Sequence, residues 1–138
     1  MGLLESLEER LIRTAESLRA IELLVLFGST ARATETGESD VDLGVILVPD
    51  SPDARRDVEV ALGRAAGRTV DVVDLAAAPP LLRFEIARDG KVLYEGRRHA
   101  WADFGAHAML DWWDWAPTAR MIHAAAAQRI RTQVHGPP

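Results

Sequence analysis

The 138-residue chain contains no cysteine, so disulfides and thiolate zinc sites are excluded from its chemistry. It has no apolar run near the roughly 18 residues that span a bilayer. The opening "MGLLESLEERLIRTAESL" is acidic and amphipathic, unlike a signal peptide. Met1-Gly2 followed by Ser6 fits a myristoylation pattern only loosely, and no second membrane signal accompanies it. A cytoplasmic protein without a membrane role is expected. Basic residues are also in deficit: 16 Lys and Arg stand against 21 Asp and Glu, a net charge of -5. Broad electrostatic binding to nucleic acid needs the opposite balance, so no direct nucleic-acid contact is expected. Repeats, linkers and low-complexity segments are absent too.

What is present is ordinary globular material. Hydrophobic residues make up 48% of the chain, enough for one core without staples. A single domain over 1–138 is expected, with a core at 20–96 and a helical extension at 97–135. Leu3, Leu4, Leu7, Leu11, Ile12 and Leu18 recur at helical spacing and predict a helix over 3–19. Short apolar runs at 22–27 and 41–48 predict strands, the second stopped by Pro49. Ser51-Pro52 marks the start of a helix to about residue 66. A third strand over 68–75, a helix to about residue 88 and a fourth strand over 91–94 follow. Trp101, Phe104, Ala108, Trp112 and Trp115 form an aromatic stripe on the next helix. Pro117 predicts a break or kink at Ala116, with a second helix over 118–134. The fold class is α/β (α+β): a small mixed sheet of about four strands flanked by helices, with helices at the C-terminus.

The chemistry concentrates in "LFGSTARATETGESDVDLGVIL", residues 26–47. Asp40 and Asp42 lie two apart at a strand start, so both point to one face. Carboxylates about 5 Å apart repel by roughly 3 kcal/mol at an effective dielectric near 20. A shared proton offsets that repulsion, and so does a divalent cation; oxygen ligands of this kind suit Mg²⁺ or Mn²⁺. Asp71 in "TVDVVD" comes within reach if its strand lies beside that of Asp42. Three carboxylates on adjacent strands can bridge two metal ions for in-line nucleotidyl transfer. Asp74, three residues on, faces the other way and reads as a strand-end residue. Gly28-Ser29 follows the first strand directly, where backbone N–H groups and a hydroxyl can hold phosphate oxygens. His99, His107 and His123 have no metal-like spacing. Trp113 lies off the aromatic stripe and is a candidate interface anchor.

Gly-Ser, ten residues, then Asp-x-Asp resembles the signature of the DNA polymerase β-like nucleotidyltransferase superfamily. The stretch "FGSTARATETGESDVDLGVIL", with "VDVVDL" and "PPLLRFEIARDGKVLYE" after it, is similar to the minimal nucleotidyltransferases (MNT), small proteins often paired with a HEPN-domain partner. The resemblance covers about residues 20–96. It implies that Gly28 and Ser29 grip the triphosphate of ATP, that Asp40 and Asp42 bind two Mg²⁺ ions (or Mn²⁺), and that Asp71 completes the second site and helps activate the attacking hydroxyl. Arg32 matches a common arginine of the family, as a phosphate contact or a surface salt bridge. Ala33 departs from the glycine that many members carry. The implied activity is that of a toxin-antitoxin system: AMP transfer from ATP to a tyrosine of a HEPN toxin, which silences the toxin. The chain is too short for a second substrate-binding domain, which suits an enzyme whose acceptor is a protein partner. A homodimer or a hetero-oligomer with the toxin is expected. The alternatives are an antitoxin that neutralises by binding alone, or a nucleotidyltransferase for a small molecule or an RNA end.

Overall fold

A computed structural model describes residues 5–28 and 40–135, with the side chains of 119, 123 and 127–135 outside the description. The elements run α1 (Leu7–Ser17), β1 (Ile21–Phe27), β2 (Val41–Leu47), α2 (Pro52–Ala66), β3 (Val70–Asp74), α3 (Pro80–Asp89), β4 (Lys91–Glu95) and α4 (Ala100–His135). Each predicted strand and helix from 5 to 95 has its counterpart, with shifted ends. The first helix starts at Leu7 because Ser6 caps it, its hydroxyl accepting from the Glu9 N–H at 3.1 Å.

The four strands form one mixed sheet in the order β3-β2-β1-β4. β1 pairs antiparallel with both β2 and β4, while β2 and β3 are parallel. The parallel pair needs a crossover, and α2 supplies it. Ser51 caps α2 by accepting from the Ala54 N–H, Pro52 occupies its first turn, and Gly67 ends it in the left-handed conformation at φ 68°.

Side-chain alternation divides the core between the sheet's two faces. Leu24, Leu26, Leu43 and Val45 face α1 and α2, packing with Leu11, Ala15, Val58 and Leu62. Leu23 and Val25 face α3 and α4, packing with Ile86, Ala100, Phe104 and Ala108. The β2 residue at the centre of the second face is Gly44, and Leu75 fills the space its side chain would take.

The predicted break at Ala116 is corrected: α4 runs unbroken from Ala100 to His135 with Pro117 inside it. Proline removes one backbone donor, the one that would serve the Trp113 carbonyl. Trp113 is an exposed residue, where water can take that donor's place. The aromatic stripe packs inward over most of its length, while Trp115 at its end is exposed. Phe104 and Ala108 are buried, Trp112 stacks on Phe84 at 5.3 Å, and Trp101 on Phe104 at 5.8 Å. Arg83 of α3 ties the two helices through an ion pair with Asp111 and lies over the Phe104 ring at 5.7 Å.

Candidate active site

The site forms where β1 ends and where β2 and β3 begin. Parallel pairing puts Asp42 directly opposite Asp71, and antiparallel pairing puts Phe27 opposite Asp42. Partners across a ladder present their side chains to the same face, so Asp42 and Asp71 are neighbours on the α3/α4 side. Asp40 precedes Asp42 by two residues and lies just before the first residue of β2. The condition set by the sequence, that β3 lie beside β2, is therefore met.

Their electrostatics agree with that placement. The Asp42 carboxyl is held above its ordinary range by burial first, then by the negative charge of Asp71, then by that of Asp40. Among the described residues, the charges that act on it, Asp71 and Asp40, are of its own sign. Among the described residues no three Asp, Glu or His side chains close into a ligand shell for a metal ion. The three aspartates share one mouth without forming a cage, and repulsion between like charges favours that spacing. As a donor set, clustered carboxylate oxygens fit a hard divalent cation.

Gly28 closes this mouth from the β1 side. Its φ is +77°, a left-handed conformation that favours glycine. A Cβ built there would stand 2.4 Å from Asp42 Oδ2. Glycine thus leaves room for the carboxylate itself, a role its position in the sequence did not suggest. Ser29, Arg32 and Ala33 lie outside the described residues, as does the His123 side chain.

Asp74 is placed as its spacing implied. Its side chain accepts from the Ala76 N–H at 3.0 Å and lies 3.6 Å from the Arg55 guanidinium, on the α2 side of the sheet. His107 Nδ1 stands 2.9 Å from the carbonyl oxygen of Asp103, a local contact within its helix. Beside Gly28 is a cavity of about 190 Å³ lined by Phe27, Gly28, Leu82, Glu85, Ile86 and Asp89. Sequence reasoning missed the α3 part of this lining. The apolar residues of α3 are spread around its axis, so no periodic pattern marks Leu82 or Glu85 as facing a cavity.

Residues 9–99 match the family described as "Polymerase beta, Nucleotidyltransferase", well over half of the chain. The chain belongs to the polymerase beta nucleotidyltransferase family. Among curated relatives of this nucleotidyltransferase chain is protein adenylyltransferase MntA of Shewanella oneidensis, 33% identical over 81 residues. That alignment spans 57% of this chain and 58% of the Shewanella protein, less than two thirds of its length. A solved toxin-antitoxin structure with AMP-PNP superposes with a TM-score of 0.63 at 24% identity, covering 94% of this chain and 98% of that one. A second, the tri-AMPylated Shewanella oneidensis HEPN toxin in complex with its MNT antitoxin, gives 0.57 at 22%, with 94% and 97% covered. These likenesses establish the polymerase β-like nucleotidyltransferase fold.

Proposed function

We propose that this protein is a protein adenylyltransferase that moves AMP from ATP to a tyrosine of a HEPN-domain toxin, acting as its antitoxin in the cytoplasm. The observation that carries this reading is the Asp42–Asp71 pair at the parallel β2–β3 step, with Asp40 alongside and Gly28 against Asp42. The name of the Shewanella relative and the AMP-PNP and AMPylated-toxin complexes support the choice of nucleotide and acceptor.

In this reading Asp40 and Asp42 would hold the metal ions, two Mg²⁺ or Mn²⁺, and Asp71 would complete the second site. When bound, such ions neutralise phosphate charge and polarise the reacting oxygens. Asp71 orients the tyrosine hydroxyl and takes its proton. The phenolic oxygen then bonds to the α-phosphorus, the bond to the bridging oxygen breaks, and pyrophosphate leaves. Gly28, with Ser29 and Arg32, grips the triphosphate. The cavity lined by Phe27, Leu82 and Ile86 offers apolar contact for part of the nucleoside. The same reading takes the chain as a single nucleotidyltransferase domain, with its core at 20–96 and a helical extension at 97–135.

The test is to isolate the chain with the protein encoded by the neighbouring gene and supply labelled ATP with Mg²⁺ or Mn²⁺. Label is expected on a tyrosine of the partner, lost in Asp40→Asn with Asp42→Asn while the complex persists. No label with the wild type, in a complex shown to be folded, overturns the reading. A binding-only antitoxin has one observation in its favour: α4 exposes Met109, Leu110, Trp113, Met121 and Ile122, apolar surface that a protein partner can cover. Neutralisation that survives the double aspartate change would establish that alternative.

A further inference from the structure

The cavity beside Gly28 adjoins the aspartate mouth at two points. Gly28 lines it, and a Cβ there would stand 2.4 Å from Asp42 Oδ2. Phe27 lines it too and is the cross-strand partner of Asp42, so the ring and the carboxylate share one face of the sheet. The rest of the lining comes from α3: Leu82, Glu85, Ile86 and Asp89. Glu85 and Asp89 lie four apart, which puts both carboxylates on one side of that helix. Among the described residues they are the only charged side chains of the lining. Asp89 is engaged by Arg88, accepting from Nε at 3.1 Å and from Nη2 at 2.8 Å. Glu85 is exposed, one helical turn before it.

An ionised carboxylate accepts hydrogen bonds, donates none and repels anions. A triphosphate therefore belongs at the mouth, where a cation can offset its charge, and not in this cavity. The group that suits the cavity is uncharged, carries hydrogen-bond donors and has an apolar side. In a ribonucleoside triphosphate the sugar is the first such group beyond the phosphates. Its vicinal hydroxyls match the two oxygens of one carboxylate, a contact of the kind acidic residues make with ribose in dinucleotide sites. We propose that Glu85 accepts from the ribose hydroxyls of the bound nucleotide and selects ribonucleotides over deoxyribonucleotides. Phe27, Leu82 and Ile86 supply the apolar side. Selection between bases does not follow from this lining, because adenine and guanine both carry an amine donor. A cationic side chain of a partner also suits carboxylates, but the cavity adjoins the mouth where the triphosphate lies, which favours the nucleotide. The inference rests on the reading of the site as an ATP-using transferase and adds the residue that reads the sugar.

The test is calorimetric titration of the full chain with ATP, 2′-deoxy-ATP and 3′-deoxy-ATP in the presence of Mg²⁺. The wild type is expected to bind ATP about tenfold more tightly than either deoxynucleotide, the scale of a hydrogen bond to a charged group. In Glu85→Ala that preference should fall to about twofold or less, with the deoxynucleotides bound nearly as before. Glu85→Gln, which keeps one acceptor oxygen, should fall between the two. The position is exposed, and thermal melts confirm that the variants fold. A preference for ATP that survives Glu85→Ala would overturn the proposal. So would equal binding of the three nucleotides by the wild type, or a loss in Glu85→Ala of the same size for all three. A folded wild type that binds no nucleotide at all would overturn the ATP reading along with it, whereas ATP binding without sugar selection overturns this inference alone.

Discussion

Asp42 is the residue where structure and chemistry meet most closely. Burial, Asp71 and Asp40 hold its carboxyl above the ordinary 3.8. A carboxyl raised on folding contributes stability while it is protonated and loses that contribution as pH rises through the folded value. Metal-free wild type should therefore lose stability as pH rises above the ordinary 3.8, relative to Asp42→Asn, which carries no such titration. Thermal melts of both proteins at rising pH check this; parallel curves would show that the carboxylate is not penalised. If the proposed function holds, the same change should cut AMP transfer by at least about a hundredfold, the scale of losing one electrostatic group at a reacting phosphate. Mn²⁺ or Mg²⁺ should raise the melting temperature of the wild type at neutral pH, and raise that of Asp42→Asn less. Binding at a hundredfold excess over Kd is worth about 2.7 kcal/mol. Gly28→Ala is the steric counterpart. It meets the φ of +77° and the 2.4 Å approach to Asp42 Oδ2 together. A loss of about 1–2 kcal/mol is expected in urea melts from the backbone conformation alone, with transfer falling further because Asp42 is displaced.

At the scale of elements, most of this fold is legible in the sequence for local reasons. Ser51 and Pro52 announce α2, Gly67 ends it, and apolar runs of strand length mark β1 and β2. Asp74 is legible as a strand-end residue because alternation along β3 turns it away from Asp71. Pro117 misleads, because the proline rule describes the loss of one bond while the rest of α4 keeps its own. Gly44 is similarly opaque. Nothing in "VDLGVIL" reveals that Leu75 will lie where a Gly44 side chain would be, its Cδ2 at 2.6 Å. Gly44→Ala should cost about 1–3 kcal/mol by overpacking, read as a lower urea midpoint with an unchanged slope. Ser51→Ala, which removes the cap of α2, should cost about 1 kcal/mol.

For the whole molecule, the sequence supplies the parts of the site and leaves their order in space open. Asp40 and Asp42 belong together by adjacency alone. Asp71 joins them because β3 lies beside β2 in parallel, and no local pattern fixes which neighbour a strand will choose. The cavity beside Gly28 is less legible still, since it depends on how α3 lies over the end of β1. The seat of α4 combines the buried Ala100, Phe104 and Ala108 with one long-range ion pair. Arg83 is half-buried between α3 and α4, and its Nε has no protein partner among the described residues. Arg83→Ala removes both the ion pair with Asp111 and the contact with Phe104. A loss of about 2–3 kcal/mol is expected, with amide exchange in the first turns of α4 rising more than in the sheet.

The parallel β2–β3 step also has a kinetic side. Antiparallel contacts of β1 with β2 connect through the chain's early segment, whereas Asp71 reaches Asp42 only after α2 has carried the chain across the sheet. Non-local pairings of this kind tend to form late, because loop closure must precede them. Asp71 is then the last of the three aspartates to arrive during folding and the first to leave during unfolding. A divalent cation held by these carboxylates would act as a latch on that last step, slowing the unfolding rate while leaving the folding rate nearly unchanged. Stopped-flow kinetics with and without Mn²⁺ would register the latch in one limb of the chevron only.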